Sequence, residues 1–189
     1  MRRPRSLIGP ANMGGMVGLW NASSMIESIQ YGTISITSLT ATATITSVDA
    51  SRSILIDLRQ SNNWNGGTQP AYTSNTLVFT NATTITASRN ASGGIVVTAS
   101  FCVVQFAPGV VRSVQSGLMI GNSNQTATIT SVNTAKSLVL SLGLEGDSGG
   151  RDDAFYGRLT LTNATTVTLT RGVSNGSGMQ AGYLVLEFF

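Results

Sequence analysis

The chain has 189 residues, of which 41% are apolar and only 10% charged, with a formal charge of +3, one cysteine and no histidine. That much apolar content with so little net charge excludes intrinsic disorder. The lack of histidine removes Ser-His and Cys-His nucleophiles and zinc sites of ordinary type, and the single Cys102 excludes an intrachain disulfide.

The charged fraction lies below the globular average of roughly 25%, and Thr, Ser, Val and Ile abound. β-Branched side chains suit a pleated, half-buried surface, so the composition predicts an all-β protein. The whole charge excess sits in Arg2, Arg3 and Arg5; the remainder holds eight basic and eight acidic residues. A nucleic-acid-binding face is therefore not expected. No apolar run approaches the ~18 residues of a membrane span. Pro10, Gly14, Gly15 and Gly18 break up the segment after the arginines, so neither membrane insertion nor secretion is expected. Without secretion, the N-x-Ser/Thr strings at Asn21, Asn81, Asn90, Asn124, Asn163 and Asn175 are what Asn- and Thr-rich turns produce by chance.

Residues 1–27 show a period of neither 2 nor 3.6 and read as an extended arm that orders on a partner. Its candidate binding residues are Arg2, Arg3 and Arg5 for carboxylates, and Leu7, Ile8, Met13, Met16, Leu19 and Trp20 for apolar burial.

From residue 28 onward the chain repeats itself. SIQYGT at Ser28–Thr33 matches SVQSGL at Ser113–Leu118, an offset of 85 residues; TATITSV at Thr42–Val48 recurs at Thr126–Val132, an offset of 84. TNATT at Thr80–Thr84 recurs at Thr162–Thr166, an offset of 82, which also pairs FCVVQF (Phe101–Phe106) with YLVLEF (Tyr183–Phe188). Steady offsets with small changes confined to loops indicate a tandem duplication. The expected organisation is a first β-sandwich repeat over 28–106, a linker over 107–112 and a second repeat over 113–189. Period-2 alternation marks the strands: Ile54, Ile56 and Leu58 share one face, as do Leu138, Leu140 and Leu142. The closing strands are apolar on both faces, which places them centrally in a sandwich or at a contact between chains. Self-association or lattice binding is expected there.

The two copies differ most in the loops 60–74 and 143–157, and divergent loops on a repeated scaffold are where binding tends to reside. Asn62, Trp64 and Tyr72 would make an aromatic, amide-edged sugar platform in the first. Asp147, Asp152, Asp153 and Tyr156 are the binding candidates of the second. Glu145 and these aspartates are oxygen ligands of the kind calcium takes, but the spaced calcium-loop pattern is absent. Gly146–Gly150 reads GDSGG, the string around the serine-protease nucleophile, yet no histidine exists to take the Ser148 proton. Cys102 in its apolar strand reads as a small buried hydrophobe. No catalytic, cofactor or metal residues are assigned, and the chain is read as a non-enzyme.

SIQYGT, VRSVQSG, TATITSV and the closing VVQF and LEFF, on a low-charge, Thr/Ser-rich tandem β repeat, resemble structural proteins of tailed-bacteriophage virions. The resemblance covers residues 28–189 and implies a virion component synthesised in the host cytoplasm. The first expectation is a capsid decoration (cement) protein, with the major capsid protein and other copies of itself as partners. The alternative is a tail or fibre adhesin binding host glycans through loops 60–74 and 143–157. The absence of a coiled-coil or shaft segment favours decoration.

Overall fold

A computed structural model describes residues 25–63, 74–89, 94–146, 157–172 and 178–189. These form twelve strands and, among the described residues, no α-helix. The strands are β1 (Ile26–Ile36), β2 (Thr40–Thr44), β3 (Ser53–Asn62), β4 (Thr76–Asn81), β5 (Thr84–Ser88) and β6 (Val97–Phe106). They continue as β7 (Val111–Gly121), β8 (Gln125–Thr128), β9 (Ser137–Gly146), β10 (Gly157–Asn163), β11 (Thr166–Arg171) and β12 (Met179–Phe188). Every pairing is antiparallel. One sheet has the order β1-β6-β3, a second β10-β11-β8, and a six-stranded sheet runs β2-β5-β4-β9-β12-β7. Within residues 25–106 the neighbours are thus β1-β6-β3 and β2-β5-β4; within 111–189 they are β7-β12-β9 and β8-β11-β10. Strands at corresponding positions in the sequence hold corresponding places.

The recurring strings are bonded to one another. In the first half, Ile45 N donates to Thr83 O and Val48 N to Ala82 O, both at 2.9 Å. In the second, Ile129 N donates to Thr165 O and Val132 N to Ala164 O, again at 2.9 Å. TATITSV therefore starts as a strand, leaves the sheet against the TNATT turn, and buries Val48 or Val132 at its end. The turn explains two of the N-x-Thr strings. Asn81 Oδ1 accepts from both the backbone N–H and the hydroxyl of Thr83 at 2.9 and 3.0 Å, and Asn163 does the same for Thr165 at 2.8 and 3.1 Å. Asn is favoured because its amide reproduces a backbone turn two residues on. These strings are turn chemistry, not chance. Gln30 and Gln115, from the SIQYGT and SVQSGL strings, each clamp an exiting segment in both directions. Gln30 bonds the N–H and carbonyl of Thr46 at 2.7 and 3.0 Å, and Gln115 those of Thr130 at the same distances.

The glycines of those strings have a packing reason. A Cβ on Gly32 would stand 2.4 Å from Phe101 Cζ, and one on Gly117 would stand 2.7 Å from the Tyr183 hydroxyl. In each case the ring of the directly paired residue reaches over the glycine. Gly32→Ala must displace a Phe101 ring that is 1% exposed, and overpacking of that kind costs about 1–3 kcal/mol. Urea unfolding should show the loss, with the slope unchanged.

Two apolar cores share one strand. On β12, Tyr183 and Val185 point into a core with Met119, Ile129, Val132, Val167, Leu169, Met179 and Ala181. Leu184 and Leu186, on the opposite face, join Leu142 and Val111 in a core built mainly from the first half: Ile34, Ile36, Leu77, Ile85, Phe101, Val103 and Val104 among others. Phe106 and Phe188, which end the two closing strands, meet edge to face at 6.0 Å between centroids. This corrects the expected site of association between chains. Both faces of β6 and β12 are covered inside the chain, because the outer face of one closing strand packs with that of the other half.

β1 begins at Ile26, where it pairs with Phe106, and β7 begins at Val111, where it pairs with Phe188.

Candidate functional site

The arm residues Arg2, Arg3, Arg5, Leu7, Ile8, Met13, Met16, Leu19 and Trp20 lie outside the described residues. So do Trp64, Tyr72, Asp147, Asp152, Asp153, Tyr156 and Ser148. What the structure places is the roots of both divergent loops, and it brings them together. A cleft of about 520 Å³ is lined by Asp57, Arg59, Gln60 and Ser74 from the first half and by Ser141, Gly143, Leu144, Gly157 and Leu159 from the second. Asn62 is not in that lining. It is exposed and pairs with Val97 at the end of β3, while the next residue, Asn63, accepts from Val96 N at 3.0 Å.

Two matching bulges shape the cleft. Arg59 has φ 83° and Gly143 φ 103°. Asp57 Oδ1 accepts from Arg59 N at 2.9 Å, and Ser141 Oγ accepts from Gly143 N at 3.3 Å. Burial pushes the Asp57 carboxyl above the ordinary aspartate range, opposed by its bond to the Arg59 N–H and by the Arg59 charge. Polar side chains line one wall, and Leu144 and Leu159 stand on the other.

Beside the cleft, β4 meets β9 at a single pair, Thr76 against Gly143. A Cβ on Gly143 would stand 2.2 Å from the Asn75 carbonyl oxygen and 3.0 Å from Thr76 Cα, so the two backbones touch and only glycine fits. The next β9 side chain on this face is Glu145, 1% exposed. Its carboxylate accepts from the Thr76 hydroxyl at 3.4 Å, and Gln180 donates to that hydroxyl at 3.1 Å. Burial raises the Glu145 pKa to about 7, with the Thr76 bond opposing. Asp147, Asp152 and Asp153, which the sequence groups with Glu145, lie outside the described residues. Glu145 faces a hydroxyl and an amide on neighbouring strands, and no group of three or more Asp, Glu or Cys side chains able to hold a metal occurs among the described residues. The signal that marks the junction in the sequence is Gly143 itself, since a glycine inside a strand pattern indicates a bulge or a close backbone approach.

The remaining charged groups with described partners hold turns. Arg52 pairs with Glu27 and with Asp49, and also donates to the Phe106 carbonyl. Hydrogen bonds from Arg52 hold the Glu27 carboxyl below its usual range, and bonds from Ser51 do the same for Asp49. In the second half the charges are exchanged. Glu187, at the position corresponding to Gln105, accepts from Asn133 N at 2.8 Å, as Gln105 accepts from Asp49 N at 2.9 Å. Arg112, at the position of Glu27, lies 3.9 Å from Glu187. Cys102 is buried, and burial pushes its thiol up, away from the thiolate form that reactivity needs.

No family model, no curated protein and no solved structure matches this chain.

Proposed function

We propose that the protein is a non-enzymatic structural component of a tailed-phage virion, a capsid decoration protein built from two copies of one sandwich unit behind an arm of residues 1–27. It would bind the assembled shell through that arm and a sandwich face. The observation that carries the reading is the use made of its polar side chains. At corresponding positions in both halves, Gln30 and Gln115, Asn81 and Asn163, and Gln105 and Glu187 hold turns and strand exits, and the two halves share a core. That is the economy of a rigid scaffold, in which these polar side chains serve the fold. The phage assignment itself rests on the sequence resemblance. Ser148→Ala should alter no hydrolytic activity, because no histidine is present to activate the serine.

The cleft favours a second reading, a tail or fibre adhesin that takes host glycans where loops 60–74 and 143–157 leave the scaffold. One experiment separates the two. Antibody labelling of purified particles should put the protein on heads, and particles carrying a chain without residues 2–20 should lose it while the repeats melt unchanged. Label confined to tails would replace decoration by the adhesin reading, and particles without label would remove both.

A further inference from the structure

The closing strands β6 and β12 are covered inside the chain, but the strands beside them are not. Directly paired residues on neighbouring strands project on the same face. Ile29 stands opposite Val104 and Tyr31 opposite Cys102, so both continue the outer face of the β1-β6-β3 sheet. Leu118 stands opposite Gly182 and Ile120 opposite Gln180, which continues the outer face of the β7-β12-β9 group past Leu184 and Leu186. Exposure changes abruptly along these faces. Cys102, Val104, Leu184 and Leu186 are at most 9% exposed, whereas Tyr31 is 74% and Ile120 67% exposed. Of the large apolar side chains that reach solvent, Ile29, Tyr31, Leu58, Leu118, Ile120 and Leu138 all lie on these two faces. Six of the ten exposed large apolar side chains among the described residues thus lie on these two faces, beyond the part that the other half covers.

We propose that this uncovered part, centred on the β1 row Ile29 and Tyr31 and the β7 row Leu118 and Ile120, is a self-association surface whose occupant is the same pair of faces on a second copy of the chain. The choice of occupant follows from the seam. Within one chain, the outer face of the first half already packs with the corresponding outer face of the second. The surface that fits this face is therefore a copy of itself, and each chain carries both partners. β1 and β7 also end their sheets, so the rows stand at a border that a second copy can reach. Each row sets two apolar side chains side by side on one face; contiguous apolar patches are uncommon on soluble monomers and mark contacts, and closed symmetric oligomers are the commonest outcome. The inference does not depend on the virion reading.

Sedimentation velocity of the full chain, from low to high micromolar, tests it. The chain should sediment as one discrete oligomer. Tyr31→Glu combined with Ile120→Glu should weaken association by roughly thirtyfold or more, the loss typical of a central aromatic contact. Because both positions are exposed, the melting profile of the monomeric unit should be unchanged. Leu39→Glu, an exposed apolar residue outside these faces, should leave association intact. A chain that is monomeric at every concentration would overturn the proposal. So would an oligomer that the double variant preserves, or one that Leu39→Glu disrupts equally. A monomeric full chain that associates only after residues 2–20 are deleted would also overturn it, by making the arm the occupant.

Discussion

Gly143→Ala should destabilise the protein by roughly 3 kcal/mol, the sum expected of a left-handed backbone conformation in a residue with a Cβ and a forced shift of packed backbone. The clash is with the Asn75 carbonyl oxygen at 2.2 Å and Thr76 Cα at 3.0 Å. Neither is a flexible side-chain end, so no rotamer change can relieve it. The substitution therefore acts on the one place where β4 and β9 pair. Leu142 beside it is 1% exposed within the core of the first half, and any parting of the strands exposes Leu142 as well. Arg59 supplies the internal control. It occupies the corresponding position with φ 83°, already carries a side chain, and lies at the surface. Arg59→Ala should stay within about 0.5 kcal/mol of the parent. Denaturant titrations of the two variants decide the matter, and equal midpoints for Gly143→Ala and the parent would show that the junction contributes nothing.

The same pair shows what the sequence revealed and what it concealed. Alternation at Ile54, Ile56 and Leu58 and at Leu138, Leu140 and Leu142 was enough to predict strands, because period 2 is a local property of the backbone. The repeated strings were legible as repeats, and the structure adds a reason they recur: Gln30 and Gln115, Val48 and Val132, and Gly32 and Gly117 each bond or pack against another repeated string. The fate of the outer faces was not legible. Leu58 and Leu142 occupy corresponding positions, yet Leu58 is 45% exposed and Leu142 1%. The difference is made by which half lies against each, a long-range contact that no local pattern encodes. For the site, the loops 60–74 and 143–157 were identified as the divergent places, but not that their roots line one cleft. Glu145 was grouped with its sequence neighbours Asp147, Asp152 and Asp153, whereas its described surroundings come from β4 and β12, far along the chain.

Glu145 should also make stability fall between about pH 4.5 and pH 7. Its pKa in the folded protein is about 7, against an ordinary value of 4.5. The folded state therefore holds a proton that the unfolded chain releases in this interval, and raising the pH favours unfolding. The contribution is fully present below pH 4.5, declines through the interval and is gone above about pH 7. A difference of that size, at 1.36 kcal/mol per pH unit, amounts to roughly 3 kcal/mol. Asp57, whose pKa is also raised by burial, acts in the same sense. Glu27 and Asp49 have lowered values and act in the opposite sense, but only under more acidic conditions, so the windows separate. Among the described residues, burial raises the Glu145 pKa and the Thr76 hydroxyl opposes it. Glu145→Gln keeps the shape and can keep a hydrogen bond with Thr76 while removing the titration. Its stability should fall much less than the parent's from pH 5 to 8, exceeding it by up to about 3 kcal/mol at pH 8. Thermal unfolding of both proteins across that range measures the effect. A parent whose stability is level or rising from pH 5 to 7 would mean that the Glu145 carboxylate finds solvent or a cation in the folded state, and that the β4–β9 junction is more open than its 1% exposure implies.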